Sequence, residues 1–239
     1  MFMNMFVTHA CRLGVVIALA SVVAACGGGG GDVSPAVGAG TAVTPAISPT
    51  PNANPVSSQA LAPYQGTWLG LCEKPTSSSS ALTYSSQEML VFGQTSGTGS
   101  TSTINSTRYY ANANCSGSAA ATVTNTASVL TPAGTTSIAG LTAIKIDVVS
   151  PAGTSTFSGP AAAVGLNISG APAIVITLGT GVNQSPIYYP LTQLAETGKS
   201  LISTISASNT FEVGDDASLD TEGYPNKFVA STIGLYTKQ

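Results

Sequence analysis

The densest cluster of reactive side chains in this sequence is acidic. Within the stretch FEVGDDASLDTEGYP, eleven positions hold five of the chain's ten Asp and Glu residues: Glu212, Asp215, Asp216, Asp220 and Glu222. Calcium is bound by about six to eight oxygens, many from carboxylates, so Asp215, Asp216, Asp220 and Glu222 form a candidate calcium site. The spacing departs from the D-x-[DN]-x-[DN]-G loop, however. A solvated connection between two strands, turning at Gly214 and Gly223, accounts for the same residues.

Motifs for nucleophilic catalysis and phosphate binding are missing from the sequence. The chain has one histidine, His9, and contains neither G-x-S-x-G nor S-x-x-K. Its Gly-rich segments lack the Lys-Ser/Thr that follows the glycines of a P-loop. A glycoside hydrolase needs two carboxyls held about 5 to 9.5 Å apart, which neighbours on one loop arrange poorly. We therefore expect no enzymatic activity, and a carboxylate-dependent hydrolase is the enzymatic alternative.

The N-terminal segment has the layout of a secretory signal. Residues 1–12 carry one fixed positive charge, Arg12, and an apolar run follows from Leu13 to Val23. A helix that spans a bilayer needs roughly 20 apolar residues, so this run is too short, whereas it suits the apolar region of a signal peptide. Small residues come next, Ala24 and Ala25, and then Cys26.

The sequence Val23-Ala24-Ala25-Cys26-Gly27 resembles the lipobox of bacterial lipoproteins. This resemblance implies that the Cys26 thiol is joined to diacylglycerol and that residues 1–25 are removed as the signal peptide. Several acyl chains on one cysteine would anchor the protein stably, because each buried methylene contributes about 0.8 kcal/mol. In that family an Asp after the cysteine retains the product at the inner membrane. Gly27 at that position favours the outer membrane, on its periplasmic face or at the cell surface.

Export determines how the remaining cysteines are interpreted. Removal of residues 1–25 takes away His9 and Cys11, and lipidation uses Cys26, which leaves Cys72 and Cys115. Such a pair in an exported protein is expected to form a disulfide, which would close a long loop and contribute about 4 kcal/mol. The alternatives are two free buried thiols or a metal pair, although two thiolates without a histidine do not complete a zinc shell. We expect no cofactor other than calcium.

Composition argues against a nucleic-acid partner. The formal net charge is −3, and charged residues make up only 7% of the chain. The lysines and arginines are scattered singly, whereas nucleic acids are bound by basic clusters. The expected partners are therefore the membrane, through the lipid, and an unknown protein, glycan or small apolar ligand.

Two further segments are expected after the signal peptide. Residues 26–60 begin with five glycines and continue with Pro, Ala, Ser and Thr but no aromatic residue, which predicts a flexible linker. Residues 61–239 are long enough for one domain with a sizeable core.

Short β-branched segments fill this domain, and Gly-, Ser- and Asn-rich turns separate them. In LTAIKIDVV, Ile144, Ile146 and Val148 alternate with Lys145 and Asp147, as in a strand with one buried face. Further strands are predicted at 67–73, 88–93, 102–111, 121–130, 164–169, 172–179, 187–191, 201–206 and 227–236. The one helical turn is expected at Leu191 to Lys199. The pattern predicts an all-β fold, an antiparallel barrel in the first place and a β-sandwich as the alternative.

The first predicted strand contains Gly66-Thr67-Trp68, which resembles the G-x-W of lipocalins and the G-T-W of avidin-like barrels. The resemblance implies an up-and-down barrel in which Trp68 closes one end and a ligand enters the other. Packing of a single tryptophan in any β core is the alternative. Together these features predict a lipid-anchored binding or interaction module outside the cytoplasm, with a lipocalin-like carrier of a small apolar ligand as the alternative.

Overall fold

The structure is a computed structural model that describes residues 57–74, 84–178, 185–229 and 234–239. In this part of the chain the regular structure is β-strand apart from one 3-10 turn, Ala62–Tyr64. No helix among these residues has the length and apolar character needed to cross a bilayer. Signal peptide, Cys26 and nearly all of the predicted linker lie outside the described residues. The last four linker positions, 57–60, form a turn in which the Ala60 N–H donates to the Ser57 carbonyl.

The described residues contain fifteen strands. They are β1 (Gly66–Glu73), β2 (Ser85–Thr95), β3 (Thr101–Tyr110), β4 (Ala121–Thr124), β5 (Ser128–Ile138), β6 (Leu141–Ser150), β7 (Gly153–Thr154), β8 (Thr156–Ser158), β9 (Ala162–Leu166), β10 (Pro172–Leu178), β11 (Ser185–Pro190), β12 (Thr192–Gln193), β13 (Glu196–Ser203), β14 (Thr210–Glu212) and β15 (Leu235–Lys238).

The main sheet is antiparallel and strongly curled. Its strand order is β13-β6-β5-β3-β2-β1-β15-β14, with β4 and β8 attached beside β3. The two ends of this order meet at a bridge between Ile202 and Val213, and the Gly214 N–H donates to the Leu201 carbonyl at 2.8 Å. The fold is therefore all-β and barrel-like, which confirms the predicted fold class.

A separate set of strands lies between β6 and β13 in the chain, and we call residues 151–195 the insertion. Strands β9, β10 and β11 form a three-stranded antiparallel sheet with β10 in the middle, and β7 pairs with β12. β8, the remaining strand of the insertion, pairs with β4 of the main sheet.

Two apolar clusters form the core. The first lies inside the curled sheet and contains Leu61, Tyr64, Trp68, Leu90, Phe92, Leu130, Ile144, Ile146, Ile202, Phe211, Val213 and Tyr236. The second joins Tyr109, Ala121 and Val123 of β3 and β4 to Ile174, Ile176 and Leu178 of β10. The insertion is thus attached to the main sheet by its own apolar face.

Local sequence explains the hairpin β5–β6. Ile144 and Ile146 are buried while Lys145 between them is partly exposed, so the predicted alternation of β6 is observed. Ile138 pairs with Leu141 across a two-residue loop, in which Ala139 and Gly140 have φ of 52° and 83°. Positive φ at both loop positions matches the turn with the twist of the flanking strands.

Three sequence predictions were wrong. Leu191 to Lys199 is not a helical turn, because β13 pairs with β6 from Glu196 to Ser203 and this tertiary pairing overrides local preference. The segment 121–130 is two strands, β4 and β5, which pair with β3 at different positions. Of the strand predicted at 227–236, residues 227–229 are not in a strand, residues 230–233 lie outside the described residues, and the end falls in the strand Leu235–Lys238.

Candidate functional site

The disulfide between Cys72 and Cys115 is present, as predicted. Cys72 lies on β1 and Cys115 follows β3, and their Cα atoms are 5.7 Å apart. The Cys115 N–H also donates to the Ser85 hydroxyl at 2.9 Å. The bond therefore connects the first strand of the sheet to the loop that leaves the third.

Trp68 lies on the inner face of β1 and is fully buried. Its Nε1–H donates to the Tyr64 carbonyl at 2.6 Å, and its ring meets Phe211 edge-on with centroids 4.8 Å apart. Lys238 lies opposite Trp68 in the register, with its Nζ 5.4 Å from the ring centroid. Because these side chains and the 3-10 turn fill the interior here, this end of the sheet holds packed protein.

A polar layer lies farther along the same inner face. The Tyr236 hydroxyl donates to the Glu88 carboxylate at 2.5 Å, passing over Gly70 of the intervening strand β1. Glu88 keeps some accessible surface, but protein atoms surround its carboxylate. This desolvation raises the pKa of Glu88 to about 7 although the Tyr236 hydrogen bond lowers it, and the charge of Glu73 adds to the rise. Glu88 therefore changes its charge near neutral pH.

Two buried acceptors of this layer have no hydrogen-bond partner among the described residues. They are the Thr103 hydroxyl and the Asn105 side-chain oxygen, both on β3. Thr103 pairs with Phe92, and Asn105 pairs with Leu90, so both share the inner face with Glu88. An unpaired buried polar group costs about 1–3 kcal/mol, which a bound water or a ligand with a donor would recover.

The polar layer continues under the insertion. Gln193 donates to the Asn125 side-chain oxygen at 2.5 Å and to the Ser155 hydroxyl at 2.9 Å. Asn125 in turn donates to the Tyr189 hydroxyl at 3.2 Å. These bonds join β11 and β12 to the loop between β4 and β5, so the base of the insertion is held by polar contacts as well as by the second apolar cluster.

The acidic stretch folds against β6 and β13. Lys145 Nζ is 2.7 Å from Asp220 and 2.6 Å from Glu222, and Lys227 is 3.2 Å from Asp215. Desolvation opposes ionisation of Asp220, but hydrogen bonds from Lys145 and from two backbone N–H groups lower its pKa. These carboxylates therefore serve as partners of lysines and as turn acceptors.

Tyr224 ties this stretch to the sheet. Its hydroxyl donates to Asp147 at 2.7 Å, and Lys145 and Lys199 lie 5.0 and 4.5 Å from the centre of its ring. Such cation–π contacts are worth about 0.5–1 kcal/mol at exposed sites. Together with the ion pairs they explain why a polar stretch keeps a defined position on the surface.

Asp216 differs from its acidic neighbours. Both of its carboxylate oxygens are buried without a hydrogen-bond partner in the described chain, and desolvation followed by the charge of Asp215 raises its pKa to about 7. Among residues 57–74, 84–178, 185–229 and 234–239, no group of three or more His, Cys, Asp or Glu is arranged to hold a metal ion. Calcium binding here remains a sequence prediction.

The most unusual surface belongs to the insertion. Residues 148–195 contain no Asp, Glu, Lys or Arg. Within them Val164 is 60% exposed, Leu166 63% and Ile168 92%. We call these three residues the hairpin surface, since all lie on β9 or on the loop between β9 and β10. Three large apolar side chains are thus exposed within five positions of one hairpin.

The hairpin that carries this surface has a defined conformation. Val164 pairs with Ile174, which is buried against the main sheet, whereas Leu166 pairs with the exposed Pro172. At the tip, the Asn167 N–H donates to the Ala171 carbonyl, and the Asn167 side chain accepts from the N–H groups of Ser169 and Ala171. The apolar face that packs on the main sheet through Ile174 thus continues along the hairpin into solvent.

Comparison of the chain with protein-family models, with curated proteins and with solved structures found no match. The site must therefore be interpreted from its own residues. Sequence reasoning placed strands at 164–169 and 172–179 but did not single out Val164, Leu166 and Ile168. The signal that could have found them is the absence of charge from 148 to 195.

Proposed function

We propose that this protein is a lipid-anchored binding module that acts outside the cytoplasm by contact with another protein. The observation that carries the proposal is the hairpin surface, which exposes Val164, Leu166 and Ile168 in a segment without charge. A protein that only had to remain soluble would place polar or charged residues at such positions.

The proposed location has two supports. The first is the lipobox-like sequence that ends at Cys26, through which a lipid would hold the protein at the outer membrane. The second is the Cys72–Cys115 disulfide, since such bonds persist in oxidising compartments and are rare in the cytosol.

The anchor is tested by Cys26→Ser. The variant should lose palmitate labelling and should leave the membrane fraction after an alkaline wash, whereas Cys72→Ser, which removes a different cysteine, should keep both. Unchanged labelling of Cys26→Ser would refute the anchor.

Contact through the hairpin surface is tested in cells with a photo-crosslinking amino acid. Placed at Ile168, it should give discrete crosslinked products of defined mass. Placed at Leu141, which is 45% exposed on the main sheet, it should give none above background. Equal products at the two positions, or none at either, would overturn the proposal.

A second candidate function is carriage of a small ligand, which the unpaired Thr103 and Asn105 oxygens favour. Because the interior around Trp68 is filled, a ligand would have to bind at the polar layer. There it would need a hydrogen-bond donor for the unpaired oxygens. Mass measurement of the protein isolated under native conditions should then show an added mass that Asn105→Leu abolishes. A native mass equal to that of the lipidated chain would exclude a carried ligand.

A further inference from the structure

We propose that the hairpin surface pairs with a second copy of this chain, strand β9 against strand β9, about a twofold axis. This inference rests on the proposed function and names the partner of the same site.

The first argument is the free edge of β9. In the three-stranded sheet β10 is central, and β9 has no strand on its other side among the described residues. The start of β9 lies close to the main sheet, where the Ala161 N–H donates to the Ala120 carbonyl. From Ala163 to Leu166 the outer edge is open, and an open edge offers unpaired N–H and C=O groups to another strand.

The second argument is the contrast between the two edges of this sheet. The opposite edge, β11, contains Pro186 and Pro190, which have no N–H to donate. Strand β9 contains neither proline nor a charged residue. Proline and charge are the usual means by which proteins protect an edge from pairing. Strand β11 has proline, and β9 has neither. One protected and one open edge permit a closed pair and prevent a growing stack.

The third argument is electrostatic. The chain carries a formal charge of −3, and its charged residues all lie outside 148–195. Pairing at the surface that carries the ion pairs of Lys145 would bring charged side chains together and strip them of water. At β9 two copies meet without any charge, so self-pairing there meets no charge repulsion.

The geometry of a twofold axis accounts for the exposed side chains. An antiparallel self-pair places the same surface on both partners, as in other isologous dimers. Val164 and Leu166 lie on the face that β10 presents to the main sheet, so pairing centred on Gly165 would continue this apolar face across the axis and place Val164 of one copy beside Leu166 of the other. The open edge is short, so the interface would bury little surface and would be weak and transient. Confinement of both copies to one membrane would raise their effective concentration.

The test is thiol crosslinking of the full chain in cells. Pairing centred on Gly165 places residue 164 one diagonal from residue 164 of the second copy, with about 7–8 Å between Cβ atoms, and does the same for residue 166. A bismaleimide of about that span should therefore join Val164→Cys, and likewise Leu166→Cys, into a product of twice the chain mass on denaturing gels. Gly165 is not used, because a side chain there would lie 2.8 Å from the Val175 methyl. Leu141→Cys on the main sheet is the control and should stay at the single-chain mass.

The second part of the test adds a charged residue to the chain that carries the crosslinking cysteine. Val164→Lys combined with Leu166→Cys should lower the doubled product more than about tenfold, because a lysine of each copy would then lie beside the axis, one diagonal from the other lysine. Leu141→Lys combined with Leu166→Cys should retain it. Equal doubled products from Val164→Cys and Leu141→Cys would indicate random collision and would overturn the pairing.

The two proposals fail differently. If the photo-crosslinker at Ile168 gives a product whose added mass is not that of this chain, and no doubled product forms, then contact through the hairpin surface stands and the second copy is wrong. If neither experiment gives a product, both proposals fall.

Discussion

The main sheet and the insertion differ in how far they bury their apolar side chains. In the sheet, Trp68 and Phe211 face inward, the outer strands meet at Ile202 and Val213, and lysines and carboxylates pair outside. In the insertion one face is anchored by Ile174 and Ile176, but the same face continues into solvent and one edge stays open. The difference teaches that apolar side chains are fully buried inside the curled sheet, where they stabilise the fold, and stay exposed on the hairpin surface, where we propose that they serve contact.

The largest effect should come from emptying the interior of the sheet. Trp68→Ala removes the most enclosed aromatic side chain and should lower the free energy of unfolding by about 3–5 kcal/mol. Thermal and denaturant unfolding measure the loss. Trp68→Phe is the matched control: it keeps an aromatic ring beside Phe211, loses the bond to the Tyr64 carbonyl and part of the ring volume, and should cost less. A loss below about 1 kcal/mol for Trp68→Ala would show that the ring is not part of the packed core.

The disulfide should come next. Cys72 and Cys115 are 43 positions apart, and releasing this loop should cost about 4 kcal/mol in the chain-entropy estimate. Unfolding of the Cys72→Ala/Cys115→Ala variant should therefore occur at a clearly lower temperature, and added reductant should no longer change it. If reductant leaves the melting temperature of the natural chain unchanged, the bond does not stabilise the sheet.

Some segments of the fold could be predicted from the sequence, and others could not. Strand β6 was predictable because Ile144 and Ile146 alternate with Lys145, and the Cys72–Cys115 bond because export leaves a single pair. The segment from Leu191 to Lys199 was not predictable, since its pairing partner on β6 lies far away in the chain. Long-range pairing decides such segments, and local propensity does not record it.

The candidate site was harder to predict than the fold. Val164 and Leu166 have the sequence of a buried strand. Only the structure shows that both side chains remain exposed, although their strand pairs with the buried β10. Glu88 begins the predicted strand 88–93, and the sequence did not identify a partner for its carboxylate. Tyr236, which lies 148 positions away, supplies the hydrogen bond.

The polar layer gives the sheet a pH dependence that the uncharged insertion lacks. Burial raises the pKa of Glu88 from 4.5 to about 7, so the folded state binds a proton that the unfolded chain releases. The stability from this group is fully present below about pH 4.5 and is lost as the pH rises to about 7, by up to roughly 3 kcal/mol. Unfolding measured from pH 4 to 8 should show this decline.

Glu88→Gln measures how much of this pH dependence comes from Glu88 and how much from other acids. Glutamine keeps the shape and an acceptor for Tyr236, so the variant should show a smaller decline and should be more stable than the natural chain at pH 8. Asp216, whose pKa is also raised to about 7, should contribute in the same direction, and Asp216→Asn is the companion variant. An unchanged pH profile for Glu88→Gln would mean that the Glu88 carboxylate is well solvated.

The smallest effect on stability should come from the hairpin surface. Val164 is 60% exposed in a single copy, so Val164→Lys removes little buried area and should change the free energy of unfolding by less than about 0.5 kcal/mol. The matched variant is Ile176→Lys, in which the same lysine replaces a fully buried residue of the neighbouring strand and should destabilise severely because it buries a charge. Denaturant unfolding at low protein concentration compares the two without contribution from self-association. A loss of more than about 1.5 kcal/mol for Val164→Lys would mean that this side chain is packed within one copy, and the contrast between a closed sheet and an open insertion would then fail.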